Sequence, residues 1–149
     1  MATLRSVMVE SYESKNGDGA YDGNGGGRPC VLVVEDNQSV ANALAKLLDH
    51  EGWRVVLCYN GIDALKQIDC ENPAAAVLDI HLPDISGLIL SSKLREKFGP
   101  KLPIIVLSGD TSMENIRSLV HVGATYFISK PINSEHLVET LRDFAGAVG

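Results

Sequence analysis

Apolar residues fall along this chain in blocks rather than at every second position. Five short runs, Cys30 to Val34, Trp53 to Tyr59, Ala75 to Leu78, Pro103 to Leu107 and Tyr126 to Ser129, are largely continuous. They lack the period of two that marks a sheet with one wet face, so each predicts a strand, with Ala75 to Leu78 buried on both faces and Pro103 to Leu107 also buried. Between the runs, apolar positions recur every three or four residues, which predicts helices with one inward stripe. Val40, Leu44, Leu47 and Leu48 form the first stripe, and Ile62, Leu65 and Ile68 are expected inward on the second. Leu88, Ser91, Leu94 and Phe98 align on the third, from about Ser86 to Phe98. Ile116, Leu119 and Val120 belong to a fourth, between Met113 and His121. Leu137, Val138, Leu141 and Phe144 are expected inward on the last, from about Ser134 to Ala145.

The punctuation agrees with these boundaries. Asn37 can cap the first helix, Gly52 can end it in a left-handed conformation, and Asn60-Gly61 opens the second. Pro83 and Gly87 precede the third, Gly99-Pro100 terminates it, and Gly123 closes the fourth. Strand and helix alternating five times predict an α/β domain, its parallel sheet covered on both faces by right-handed crossovers.

Residues 1–29 break the pattern. Gly17, Gly19, Gly23, Gly25, Gly26 and Gly27 lie among Asn16, Asp18, Asp22 and Asn24, a composition too poor in apolar surface to offset its ordering entropy. A flexible Gly-rich N-terminal tail over 1–29 and one folded domain over 30–149 are expected. Leu4, Val7, Met8 and Val9 are the only apolar cluster in that tail, enough for a short docking helix or an added strand.

With 149 residues the chain has room for one domain and an ordinary core. A net charge of −6 argues against a nucleic-acid surface. No apolar run approaches a membrane span and the N-terminus has no signal-peptide character, so the cytoplasm is the expected location. Cys30, Cys58 and Cys70 are odd in number and lack C-x-x-C spacing, which favours free buried thiols in a reducing compartment. His50, His121 and His136 fall on or near helices without paired ligand spacing and are expected at the surface.

The chemistry gathers at the carboxyl ends of the strands. The first ends at Glu35 and Asp36, the third at Asp79, the fourth at Ser108 and the fifth at Lys130. A lone Asp79 reads equally as a helix cap or a loop solvator. In a parallel sheet, however, all these ends lie along one edge, where such sheets place ligands. Two like charges about 4 Å apart cost roughly 4 kcal/mol at an effective dielectric near 20, and Lys130 supplies a single positive charge. Three carboxylates there call for a further counter-ion, and hard oxygen donors suit Mg²⁺ with a phosphate completing its shell. A hydroxyl and an ammonium beside it complete a pocket for a phosphoryl group.

Four segments in order, V-L-V-V-E-D-N, V-L-D-I-H-L-P-D-I-S-G, I-I-V-L-S-G-D and S-K-P, resemble the receiver domain of two-component response regulators over about Cys30 to Phe144. The resemblance implies a flavodoxin-like, doubly wound (βα)5 fold with strand order 2-1-3-4-5. It makes Asp79 the phosphoacceptor. Asp36 becomes a direct Mg²⁺ ligand, Glu35 one acting mostly through water, and His81 a ligand through its backbone carbonyl; Mn²⁺ is an acceptable substitute. Ser108 and Lys130 would bind phosphoryl oxygens, and Phe127 takes the switch-aromatic position. The Lys130–Pro131 bond is expected to be cis, and His81 and Asp110 flank the route of a hydrolytic water. Ser108 stands where Thr is commoner, and Phe127 lacks the hydroxyl of a Tyr.

The implied partners are a sensor histidine kinase or a histidine phosphotransfer protein and an unspecified downstream protein. Homodimerisation on phosphorylation is a further option; neither nucleic acid nor membrane is implied. Catalysis would be confined to the chain's own phosphorylation and dephosphorylation. A phosphorylation-independent binding module is the rival reading, but such modules usually lack an acid, the acceptor or the lysine, all present here. A flavodoxin-type cofactor binder is disfavoured because Glu35-Asp36-Asn37 would repel a bare phosphate. A haloacid-dehalogenase-type phosphatase would need Asp at His81. A stand-alone receiver is expected, with a fragment of a hybrid histidine kinase as the alternative.

Overall fold

A computed structural model describes residues 27–145. The apolar cluster from Leu4 to Val9 and the glycines from 17 to 26 lie outside the described residues.

The chain runs β1 (Cys30–Val34), α1 (Gln38–His50), β2 (Arg54–Cys58), α2 (Gly61–Gln67), β3 (Ala75–Asp79), α3 (Gly87–Phe98), β4 (Ile104–Ser108), α4 (Met113–His121), β5 (Tyr126–Ser129) and α5 (Ser134–Ala145). All pairings are parallel, in the order β2-β1-β3-β4-β5. The fold is the flavodoxin-like one expected from the sequence. Every residue of β1, β3 and β4 is buried, which is why those runs do not alternate. Val, Leu and Ile side chains at such positions each stabilise the fold by roughly 1.5–3 kcal/mol.

The caps work as their residue types suggest. Asn37 accepts from Val40 N, and Asn60 from Asp63 N. Ser86 accepts from Leu88 N and Ile89 N, Ser112 from Asn115 N, and Asn133 from His136 N. Gly52, Gly99 and Gly123 take positive φ at the three helix ends assigned to them. At the N-terminal boundary, Arg28 donates to the carbonyls of Asp49 and Gly52, and Arg54 N donates to Pro29 O. Residues 28 and 29 are thereby tied to the end of α1 and the start of β2.

Three helix side chains differ from the expected burial. Ile62, read as inward, is 47% exposed; Val120 and Phe144, part of the apolar patterns of α4 and α5, are 70% and 45% exposed. Ile62 sits in the first turn of α2, where its N–H is committed to Asp84 and Ala64 and Ile68 fill the inner face. α4 buries only Leu119. Phe144 packs sideways on Tyr126 on the outer surface, with ring centroids 5.5 Å apart. Cys30 and Cys58 are buried as expected, whereas Cys70 is exposed in the turn after α2. His50, His121 and His136 are at the surface.

Candidate phosphoryl and metal site

Strand register builds the site. Val34 pairs with Leu78, so Glu35 follows at the level of Asp79, and Asp79 pairs with Leu107. Ser108 pairs with Ser129, and Lys130 N donates to Ser108 O at 2.8 Å, bringing the lysine to the same edge. Residues nearly a hundred positions apart thus meet because parallel strands end together. One carboxylate oxygen from each of Glu35, Asp36 and Asp79 lies within 4.8 Å of the other two.

Glu35 and Asp79 are 1% and 2% exposed, whereas Asp36 reaches solvent. Lys130 Nζ lies 3.2 Å from Asp79 Oδ2 and 3.3 Å from Glu35 Oε1. His81 N donates to Asp79 Oδ1 at 3.1 Å, and Asn37 N to Glu35 Oε2 at 3.1 Å. Glu35 Oε1 is buried without a well-directed hydrogen bond, despite the nearby ammonium. Burial first, and the Asp79 charge in addition, push the Glu35 carboxyl from 4.5 up to about 7; the Asn37 N–H and Lys130 pull the other way. Burial depresses Lys130, but Glu35 and Asp79 outweigh it and leave the ammonium above its ordinary range. One lysine paired with two of three clustered carboxyls, with a buried Glu35 oxygen lacking a well-directed hydrogen bond, fits a hard divalent cation.

Ser108 is fully buried at the end of β4. Its hydroxyl is engaged with the β4–α4 loop: Asp110 N donates to Oγ at 3.0 Å and Asn115 Nδ2 at 3.4 Å. Asp110 is exposed, and its carboxyl is held below the usual range by the Ser112 N–H, with His81 adding a smaller pull. Phe127 is half-buried in β5, packed against the core. The Lys130–Pro131 bond is cis, as expected.

Two supporting residues were not legible beforehand. Asp84, in the β3–α3 loop, accepts from Gly61 N and Ile62 N at 2.9 and 2.8 Å, capping a helix 22 residues earlier. In the sequence it stands only inside the motif V-L-D-I-H-L-P-D-I-S-G, with no role of its own, because its partners depend on how two loops meet. Asn115 reaches back from α4 to Ser108 and the Asp110 carbonyl. The Ser112-x-x-Asn115 spacing places it in a first turn but says nothing of its contacts. Gly87, by contrast, was marked as a helix-start residue, and its lack of a side chain is essential. A Cβ there would stand 2.5 Å from Asp79 O.

A five-stranded parallel sheet with an acidic hollow and a lysine at its carboxyl edge defines the class, a receiver-type α/β domain. Residues 31–142 match the family model of the response regulator receiver domain, and the chain belongs to that family. It is 34% identical over 112 residues to response regulator MprA of Mycobacterium ulcerans, covering 75% of this chain and 48% of that protein. It is 33% identical to the probable transcriptional regulatory protein TcrX of Mycobacterium tuberculosis, covering 75% and 47%. The chain therefore spans about half the length of these relatives. A CheY-like receiver from Methanospirillum hungatei superposes with a TM-score of 0.74 at 29% identity, covering 79% of this chain and 94% of that one. A Burkholderia pseudomallei response regulator, solved with a phosphorylated aspartic acid, calcium ion and citrate, gives 0.71 at 32% identity, covering 78% and 68%. The chain is thus the receiver domain of a two-component response regulator. No helix among the described residues is long and apolar enough to cross a membrane.

Proposed function

We propose that Asp79 accepts a phosphoryl group from a phosphohistidine on a sensor histidine kinase or histidine phosphotransfer protein. An Asp79 carboxylate oxygen attacks phosphorus as the P–N bond breaks, and the electron pair leaves on the imidazole nitrogen. Water later cleaves the acyl phosphate, returning the carboxylate and inorganic phosphate. The observation that carries this reading is the pairing of Lys130 with both Asp79 and Glu35 inside a three-carboxylate cluster.

Glu35, Asp36, Asp79 and the His81 carbonyl would hold Mg²⁺ or Mn²⁺. When bound, the ion would neutralise charge on the transferring group. Lys130, already at 3.2 Å from Asp79, adds a fixed positive charge on the other side. The His81 N–H orients the attacking carboxylate. Ser108 would donate to a phosphoryl oxygen after leaving its loop partners, and Phe127 would turn inward as that space opens. This repacks α4, β5 and α5, the face that meets a downstream protein. His81 and Asp110, on the water-accessible side, tune hydrolysis. The Burkholderia relative, solved with a phosphorylated aspartic acid and a calcium ion, supports the same use of this site.

The test is incubation with acetyl phosphate and Mg²⁺ followed by intact mass. The chain should gain one acid-labile phosphoryl group, and Asp79→Asn should gain none. Labelling that survives in Asp79→Asn moves the acceptor elsewhere.

A further inference from the structure

Ser108 can act on a phosphoryl group only if its hydroxyl is released from the bonds that hold it. A hydroxyl has one hydrogen and two lone pairs. Here both acceptor directions are engaged, by Asp110 N at 3.0 Å and Asn115 Nδ2 at 3.4 Å, and the Ser108 hydroxyl donates to Asp110 O at 3.4 Å. Asn115 Nδ2 also donates to Asp110 O at 2.7 Å, one hydrogen for each acceptor. That second bond fixes the amide orientation, since a flipped side chain would set its oxygen against a carbonyl oxygen. The residue is itself anchored: Asn115 N donates to Ser112 Oγ at 3.2 Å, and Ser112 N donates to Asp110 Oδ1 at 2.9 Å. Residues 108–115 thus form one closed set of bonds joining the end of β4 to the first turn of α4.

We propose that Asn115 is a positioning residue that holds the Ser108 hydroxyl in the β4–α4 loop and so opposes its engagement with a phosphoryl group on Asp79. The proposal rests on the reading of Asp79 as acceptor. Movement of Ser108 gives up the Asn115 contact, whereas the bond from Asn115 to Asp110 O survives. Asn115 therefore sets the balance between the held and engaged positions of Ser108 without touching the phosphoryl group. The loss of one such neutral bond corresponds to a change of roughly 5-fold in that balance.

Four proteins decide it: the full chain, Asn115→Ala, Ser108→Ala and the double variant. Alanine is the best helix former, so α4 is retained, and thermal melting verifies that each variant folds. Each is titrated with beryllofluoride, a phosphoryl analogue, in excess Mg²⁺, and occupancy is followed by the Gly109 amide resonance. Asn115→Ala should lower the midpoint about 5-fold in the Ser108 background and leave it unchanged in the Ser108→Ala background. Equal midpoints for the full chain and Asn115→Ala overturn the proposal. So does an equal shift with and without the Ser108 hydroxyl, because Asn115 would then act on the loop alone. A full chain with no saturable response overturns the Asp79 reading itself, and the proposal with it.

Discussion

Glu35 is the residue whose chemistry is most altered by the fold. Its carboxyl titrates at about 7 rather than 4.5 because it is buried, with Asp79 beside it. A folded value above the unfolded one means that, between those two pH values, the folded chain keeps a proton that the unfolded chain has released. Stability therefore falls as pH rises from 4.5 to 7 and levels off beyond. Glu35→Gln should remove that slope. In EDTA, urea denaturation should find the variant about 1–3 kcal/mol more stable than the parent at pH 8 and nearly equal at pH 4.5. On the proposed role of Glu35 in holding a divalent ion, the ion displaces the same proton, so Mg²⁺ should raise the parent's melting temperature more at pH 8 than at pH 6. A Mg²⁺ shift equal at both pH values would show that Glu35 is not linked to the ion.

At the scale of elements, the site depends on two close junctions around the β3–α3 loop. Asp84 supplies the first N–H groups of α2 with carboxylate oxygens and also accepts from Ile85 N at 2.8 Å. Burial alone would raise its carboxyl, but the backbone N–H groups win and hold it below the usual range. Its contribution is therefore present above the ordinary carboxylate range and is lost as pH falls through the depressed value. Asp84→Ala should cost about 1 kcal/mol at pH 7, and less at pH 3, by urea denaturation. Gly87 is the second junction, where α3 begins against the carbonyl of Asp79. Gly87→Ala must push α3 away from β3, so it should destabilise by roughly 1–3 kcal/mol. It should also slow labelling by acetyl phosphate, since the displaced carbonyl belongs to the proposed acceptor, Asp79.

For the molecule as a whole, the centre of the sheet and its β5 edge differ in how firmly they are held. β1, β3 and β4 are fully buried, but β5 is mostly at the surface, and α4 contributes only Leu119 to the core. Met113, Val120, Tyr126 and Phe144 leave apolar surface on that side. A segment with few buried contacts opens at low cost and is where a change in charge at Asp79 would be expressed. Hydrogen exchange should therefore change on phosphorylation within residues 108–145 and hardly at all in α1 and α2. Changes confined to α1 and α2 would mean that the response leaves the site by another route. Lys130→Ala, which removes the ammonium shared by Asp79 and Glu35, should abolish the change in α4, β5 and α5.

Much of this architecture could be read before any coordinates. Continuous apolar runs predicted the five strands, and the caps Asn37, Gly52 and Gly123 act within three or four residues of themselves, so local pattern sufficed for both. Because parallel strands end on one edge, the convergence of Glu35, Asp36, Asp79 and Lys130 followed from strand ends alone. What depended on tertiary contact was out of reach. The exposure of Ile62, Val120 and Phe144 reflects which half of each stripe found a neighbour. The Asp84 cap joins two loops, and Asn115 holds Ser108 across a turn whose closure no spacing encodes. The titration of Glu35 near neutrality comes from desolvation, a property of the assembled core rather than of the residue.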